Sequence, residues 1–152
     1  MCSDVFWGGS EMKPIQLYTV VKTNRFLKDF GNWIRFRQNC NISAIEHLED
    51  GYIWATAWDM ELYLPKIPQD VTAIAIPKKA ICAGPGKNGY RCRVESVVVR
   101  SCSCTAALSP LLSRNVVPLQ WQLSKTEWMK LRGDEVSIHI PPEAIILLQD
   151  KI

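Results

Sequence analysis

Two short stretches of the chain share one apolar pattern, sixty-four positions apart. Residues 76–81 have the sequence Ile-Pro-Lys-Lys-Ala-Ile, and residues 140–145 have the sequence Ile-Pro-Pro-Glu-Ala-Ile. Because proline stops ladder pairing and favours turns, each copy predicts a strand, a tight turn and a second strand. The repeat suggests two similar small β units, with chance recurrence of a short motif as the alternative.

Alternating and β-branched segments predict strands over most of the chain. In residues 117–123, apolar positions alternate with proline and glutamine, which is typical of a half-buried strand. Residues 49–51 (Glu-Asp-Gly) are a hairpin signal, and Asp59 begins a second tight turn. The predicted strands cover residues 33–36, 41–47, 52–58, 61–64, 71–76, 90–101, 117–123, 136–140 and 144–148.

Three short helices are predicted, two of them near the start of the chain. Near the start of the chain, one short helix begins at Pro14 and includes Tyr18. A second is capped by Thr23, carries Phe26 inward and ends at Gly31.

The other predicted helix follows the strand at residues 117–123. Ser124 and Glu127 have the spacing of a capping box, in which each side chain satisfies a backbone amide at the helix start.

These elements predict a mainly β chain with two OB-like small β-barrel units and few helices. Residues 1–31 form a helical linker, and residues 32–82 form the first unit. The glycine-rich residues 83–89 form a linker, and residues 90–152 form the second unit.

Composition narrows the class of partner. The chain has 152 residues, a net charge of +3 and dispersed Lys and Arg residues, which disfavours nucleic acid as a partner. It contains no apolar run that could span a bilayer and no signal-peptide pattern at its start. We therefore expect a cytoplasmic protein that does not insert directly into a membrane.

Motifs for catalysis or metal binding are missing from the sequence. Of six cysteines only Cys102 and Cys104 are close together, and neither His47 nor His139 has ligand spacing from a cysteine. No phosphate-binding loop, zinc-protease motif or hydrolase motif is present. The sequence therefore predicts a non-enzymatic chain with no metal and no cofactor.

Several segments together resemble the C-terminal region of the ATP-binding subunits of ABC importers. They are residues 13–18 (Lys-Pro-Ile-Gln-Leu-Tyr), residues 24–31 (Asn-Arg-Phe-Leu-Lys-Asp-Phe-Gly), Asn39, residues 133–136 and residues 140–148. Their order and spacing are similar to those of the regulatory region that follows the nucleotide-binding domain. The resemblance implies barrels of the TOBE or MOP type. It departs where residues 77–79 (Pro-Lys-Lys) replace an Arg-Pro-Glu pattern.

The resemblance also implies a role. The ATPase core is absent, so we expect a detached C-terminal piece, with residues 1–31 trailing the missing ATPase domain. It would be a regulatory and dimerisation domain that pairs with a second copy through β-rich faces. Its other expected partners are the ATPase and membrane subunits of the transporter, at the inner face of the cell membrane.

Within the family, residues 117–125 are most similar to those of molybdate and related oxyanion importers. Carried over from that resemblance, the candidate oxyanion ligands are Asn88, Ser124, Lys125 and Thr126. Free amides at a helix start and one lysine favour a dianion. The alternative is that Ser124 only caps the helix and Lys125 is solvated.

Three other functions are weighed against this hypothesis. The chain could be a free-standing oxyanion-binding barrel, or the same domain from a sugar, polyamine or ferric-iron importer. It could also stack nucleic acid on Tyr52, Trp54 and Trp58, which the lack of a basic groove disfavours.

Overall fold

The structure is a computed structural model that describes residues 18–20, 25–26, 30–113, 116–131 and 133–150. Side chains are described from residue 35 onward within those ranges, up to residue 149. Among the helices it describes, none is long and apolar enough to cross a membrane.

Short strands dominate the described residues, with two helices and one 3-10 turn. In chain order the elements are β1 (Tyr18–Val20), β2 (Arg25–Phe26), α1 (Phe30–Asn39), β3 (Cys40–His47), β4 (Tyr52–Ala55), β5 (Met60–Tyr63), β6 (Ala73–Pro77), β7 (Cys82–Ala83), β8 (Gly89–Val99), β9 (Ser103–Pro110), β10 (Leu119–Ser124), α2 (Lys125–Leu131), β11 (Glu135–His139), the 3-10 turn (Pro142–Ala144) and β12 (Ile146–Asp150).

The strands form two curled antiparallel sheets. One has seven strands in the order β2-β1-β12-β6-β3-β4-β5, and the other has five in the order β10-β9-β8-β11-β7. This arrangement is compatible with two small barrel-like units. The prediction of a mainly β fold with two such units and few helices is therefore confirmed.

The repeated motif takes the chain from one sheet to the other in both copies. After β6, the first copy leads to β7, which pairs with β11 of the five-stranded sheet. After β11, the second copy leads to β12, which pairs with β6 of the seven-stranded sheet. The two turns match, since Ala80 donates to Pro77 O at 2.9 Å and Ala144 donates to Pro141 O at 3.0 Å. The turn predicted in each copy is confirmed. Each half of the chain therefore contributes its last strand, β7 or β12, to the sheet of the other half, which we call the reciprocal strand exchange.

This exchange crosses the predicted unit boundaries. β7 overlaps the start of the predicted linker at residues 83–89, and β12 lies in the sheet of the first unit. The linker is also held in place, because Gly84 N donates to Ser137 O at 2.9 Å and His139 Nδ1 donates to Gly84 O at 2.9 Å.

One apolar cluster joins the two sheets. Ile53 and Met60 of the seven-stranded sheet belong to the same buried cluster as Leu108 and Ile138 of the five-stranded sheet, and all four are fully buried. Burying such a side chain contributes about 1.5–3 kcal/mol. The sheets are therefore stabilised by a shared core.

Three local predictions near the start of the chain are wrong. Tyr18 and Phe26 lie in strands β1 and β2, where helices were predicted, because β1 pairs with the distant β12. Residues 33–36, predicted as a strand, lie in helix α1, and Gly31 lies at its start. Strand pairing and packing override weak local propensity at these positions. Pro14 and Thr23, predicted to begin the two helices, lie outside the described residues.

Other local predictions are confirmed. Asp50 and Gly51 have φ values of 59° and 83°, which gives the hairpin between β3 and β4 the geometry expected of an Asp-Gly turn. Asp59, with φ of 56°, makes the second predicted turn before β5.

Candidate functional site

Asn88 lies at a left-handed turn position, with φ of 58°, just before β8. Its Oδ1 accepts a hydrogen bond from Tyr63 N at 2.6 Å. Its Nδ2 donates to Tyr63 O at 3.2 Å and to Ile140 O at 3.1 Å. The side-chain amide is therefore fully engaged in joining β5 to the end of β11.

Asn41 makes the corresponding contacts in the other half of the molecule. Its Oδ1 accepts from Gln120 N at 2.7 Å, and its Nδ2 donates to Gln120 O at 2.9 Å and Ile76 O at 3.2 Å. Ile76 and Ile140 are the first residues of the two repeated motifs. Sequence reasoning missed Asn41. The signal that could have found it is an asparagine near the start of the first long strand of each unit.

These contacts close two sheet edges. At the outer edge of β5, a second side chain bonds to both backbone groups of one residue. Tyr90 Oη accepts from Glu61 N at 2.7 Å and donates to Glu61 O at 2.7 Å. Burial raises the pKa of Tyr90, which the hydrogen bond from the Glu61 backbone partly opposes. On β10, Gln122 N donates to Lys78 O at 2.9 Å. The outward backbone groups of Glu61 and Tyr63 on β5, both backbone groups of Gln120 and the Gln122 amide on β10 are therefore occupied at these edges.

The predicted capping box at the start of α2 is confirmed. Ser124 Oγ accepts from Glu127 N at 3.0 Å, and Glu127 Oε1 accepts from Ser124 N at 2.9 Å. Hydrogen bonds from the Ser124 backbone amide and side chain to the carboxylate lower the pKa of Glu127. Lys125 and Thr126 are exposed beside them. The Glu127 carboxylate occupies an amide that a bound anion would use.

The structure places the four predicted oxyanion ligands in two locations. Ser124, Lys125 and Thr126 adjoin one another at the start of α2, whereas Asn88 lies against β5. No contact described in the structure brings Asn88 to α2. The oxyanion assignment stays a prediction.

A cleft of about 430 Å³ opens beside Asn88, and we call it the tyrosine cleft. The rings of Tyr52 and Tyr63 are 5.2 Å apart between centroids, with 59° between their planes. Lys87 Nζ lies 5.9 Å from the Tyr63 ring centroid. Polar and aromatic side chains form its walls, which comprise Tyr52, Glu61, Tyr63, Lys87, Asn88, Gly89 and Tyr90.

A second cleft, of about 420 Å³, adjoins α2 and has mostly apolar walls. Trp121 is buried there, and its Nε1 donates to Ile81 O at 3.0 Å. The side chains of Lys79 and Lys130 also line this cleft. We call it the α2 cleft.

The cysteines of the described segments differ in burial and, for Cys40 and Cys92, in pKa. Burial raises the pKa of Cys40 to about 11, with Lys78 partly opposing it, and burial raises the pKa of Cys92 to about 11. Cys104 is buried, whereas Cys102 is exposed. Within the described ranges, no group of three or more His, Cys, Asp or Glu side chains could hold a metal ion.

No family model and no curated protein sequence matches the chain. The functional assignment therefore depends on the residues and their geometry.

Proposed function

We propose that the chain is a non-catalytic regulatory and dimerisation domain of an ABC importer ATP-binding subunit, acting at the cytoplasmic face of the membrane. The resemblance at residues 13–18, 24–31 and 140–148 supports this role. So does a mainly β fold with two small barrel-like units, which is the architecture that the resemblance implies.

The reciprocal strand exchange carries the proposal. The segment most similar to the family's closing strands includes β12, which joins β6 and β1 in the seven-stranded sheet. A short turn connects β6 of the seven-stranded sheet to β7 of the five-stranded sheet, and another connects β11 to β12 in the opposite direction. The two sheets therefore cannot move apart without breaking strand pairing in both. A regulatory domain that biases an ATPase pair needs such coupling, since a signal must change one body as a whole.

Dimerisation is the part of the role that is tested first. Sedimentation velocity of the full 17.3 kDa chain, from about 1 to 200 µM, measures its mass in solution. The concentrations span a typical micromolar dissociation constant. We expect a dimer whose fraction rises with concentration. A monomer at every concentration would overturn the dimerisation role.

Solute sensing is a separate part of the proposal. Any oxyanion at Ser124, Lys125 and Thr126 must displace or neutralise the Glu127 carboxylate, which already bonds to the Ser124 amide. Titration with molybdate, tungstate and sulfate, followed by tryptophan fluorescence, tests this part because Trp121 lies near α2.

We expect a saturable response to one oxyanion that Lys125→Ala weakens and that shifts the monomer–dimer equilibrium. Absence of any response would overturn oxyanion sensing and leave dimerisation standing. A response in a chain that stays monomeric would instead favour a free-standing oxyanion-binding barrel.

A further inference from the structure

The tyrosine cleft already holds one ammonium group against an aromatic ring. Lys87 Nζ lies 5.9 Å from the centroid of Tyr63, within the distance at which a cation is attracted to a ring face. Tyr52 and Tyr90 also line the cleft, so its walls contain three aromatic side chains, of which Tyr52 and Tyr63 have their ring centroids 5.2 Å apart. Aromatic walls of this kind bind alkylated ammonium groups.

The tyrosines are held in place by contacts among the residues that line the cleft. Tyr63 is paired across the strands with Tyr52, and its backbone is bonded to the Asn88 amide. Tyr90 is fixed through its hydroxyl, which bonds to both backbone groups of Glu61. A site whose walls are positioned before binding loses less entropy when a ligand enters.

Charge adds a second reason for a cationic ligand. The Glu61 side chain lines the cleft, is exposed, and makes no ion pair with any residue that the structure describes. Its carboxylate provides the counter-charge that a cation needs. Lys87 is also exposed and sits on a flexible stem, so it can leave the ring at low cost.

The backbone geometry argues against a peptide strand as the occupant. Strand addition to β5 would need the outward amides and carbonyls of Glu61 and Tyr63, which are bonded to Tyr90 and Asn88. The cleft volume of about 430 Å³ instead suits a small ligand.

We infer that the tyrosine cleft binds a small organic cation with a methylated ammonium group, and that the Lys87 ammonium occupies the ring face until the ligand displaces it. The cation lies against Tyr63 and Tyr52, with the Glu61 carboxylate as its counter-charge. The inference does not depend on the proposed importer role, because it uses only the geometry of this cleft.

The test compares choline with 3,3-dimethylbutan-1-ol, a neutral alcohol of the same shape in which carbon replaces the charged nitrogen. Isothermal titration calorimetry and saturation-transfer NMR are run on the full chain at constant ionic strength. We expect choline to bind at least about fivefold more tightly than the alcohol. We also expect its N-methyl proton signal to move upfield.

Variants separate a cation site from a general apolar cleft. Lys87→Ala removes the internal competitor and tightens choline binding about threefold, whereas Glu61→Gln and Tyr63→Leu each weaken it about fivefold. Arg100→Ala removes an exposed cation at the tip of the hairpin between β8 and β9 and leaves the affinity unchanged.

Three results would overturn the inference. The first is equal affinity for choline and the alcohol. The second is no saturation transfer to choline from the Lys87→Ala protein, which alters only an exposed side chain and keeps the fold. The third is much tighter binding of a trimethyl-lysine peptide than of choline, which would assign the site to a protein partner.

Discussion

At the residue scale, two asparagine side chains make the backbone hydrogen bonds that a neighbouring strand would otherwise make. Asn41 and Asn88 each accept from the amide and donate to the carbonyl of one residue on an outer strand, and each donates to the last residue before a repeated proline. Equivalent bonds in both halves of the molecule indicate that the repeat extends beyond the six-residue motif that first reveals it.

Removing these amides should destabilise the fold. We expect Asn41→Ala to lower the free energy of unfolding by about 1–3 kcal/mol, because it leaves partly buried backbone groups without partners. Asn88→Ala should cost more, since alanine at positive φ adds about 1–2 kcal/mol. Urea denaturation measures both values.

Two variants serve as controls for the asparagine prediction. Asn88→Gly keeps the positive φ without strain and isolates the loss of the amide. Asn39→Ala removes one exposed hydrogen bond, to Arg35 O, and should change stability by about 0.5 kcal/mol or less. A loss for Asn39→Ala equal to that for Asn41→Ala would contradict the account.

Thiol reactivity provides a second test at this scale. The thiolate is the reactive form, and burial raises the pKa of Cys40 and Cys92 to about 11. Maleimide labelling at neutral pH, mapped by mass spectrometry, should modify Cys102 in the folded chain. Cys40, Cys92 and Cys104 should react only after denaturation. Rapid labelling of Cys92 in the folded chain would show that its strand is misplaced.

At the scale of elements, predictions that depend on residues close in sequence are correct, and those that depend on distant strand pairing are wrong. The capping box of α2 and the Asp-Gly turn after β3 depend on neighbours within a few residues, and both were predicted correctly. Tyr18 was predicted to be helical, but its strand β1 is set by pairing with the distant β12, and Phe26 lies in β2 because β2 pairs with that β1. Local pattern carries no signal for a partner more than a hundred positions away.

The capping box makes the stability contributed by α2 depend on pH. Hydrogen bonds from Ser124 lower the pKa of Glu127 below its ordinary value of 4.5. The stabilising contribution is therefore complete above pH 4.5 and is lost as pH falls through the lowered pKa. We expect Glu127→Gln to destabilise the chain at neutral pH and to have little effect in acid.

Urea denaturation at several pH values checks this dependence. The exposed Glu46 of β3 provides a matched control, since Glu46→Gln removes a carboxylate that caps no helix. A difference between wild type and Glu127→Gln that stays constant down to strongly acidic pH would rule out the carboxylate as the source.

At the scale of the whole molecule, the exchange of β7 and β12 makes the two sheets one body. The repeated motif predicted the turns correctly, but a turn does not specify which sheet the following strand joins. The candidate site shows the same limit. Asn88 was singled out as a ligand, whereas its partners Tyr63 and Ile140 become neighbours only in the folded chain.

Native-state hydrogen exchange, read by mass spectrometry in low concentrations of urea, tests this coupling most directly. The amides of β4 in the seven-stranded sheet and of β9 in the five-stranded sheet report on the two halves separately. Reciprocal exchange predicts that both strands open with the same free energy, and that Asn41→Ala lowers both values equally. Opening of one sheet while the other stays protected would contradict it.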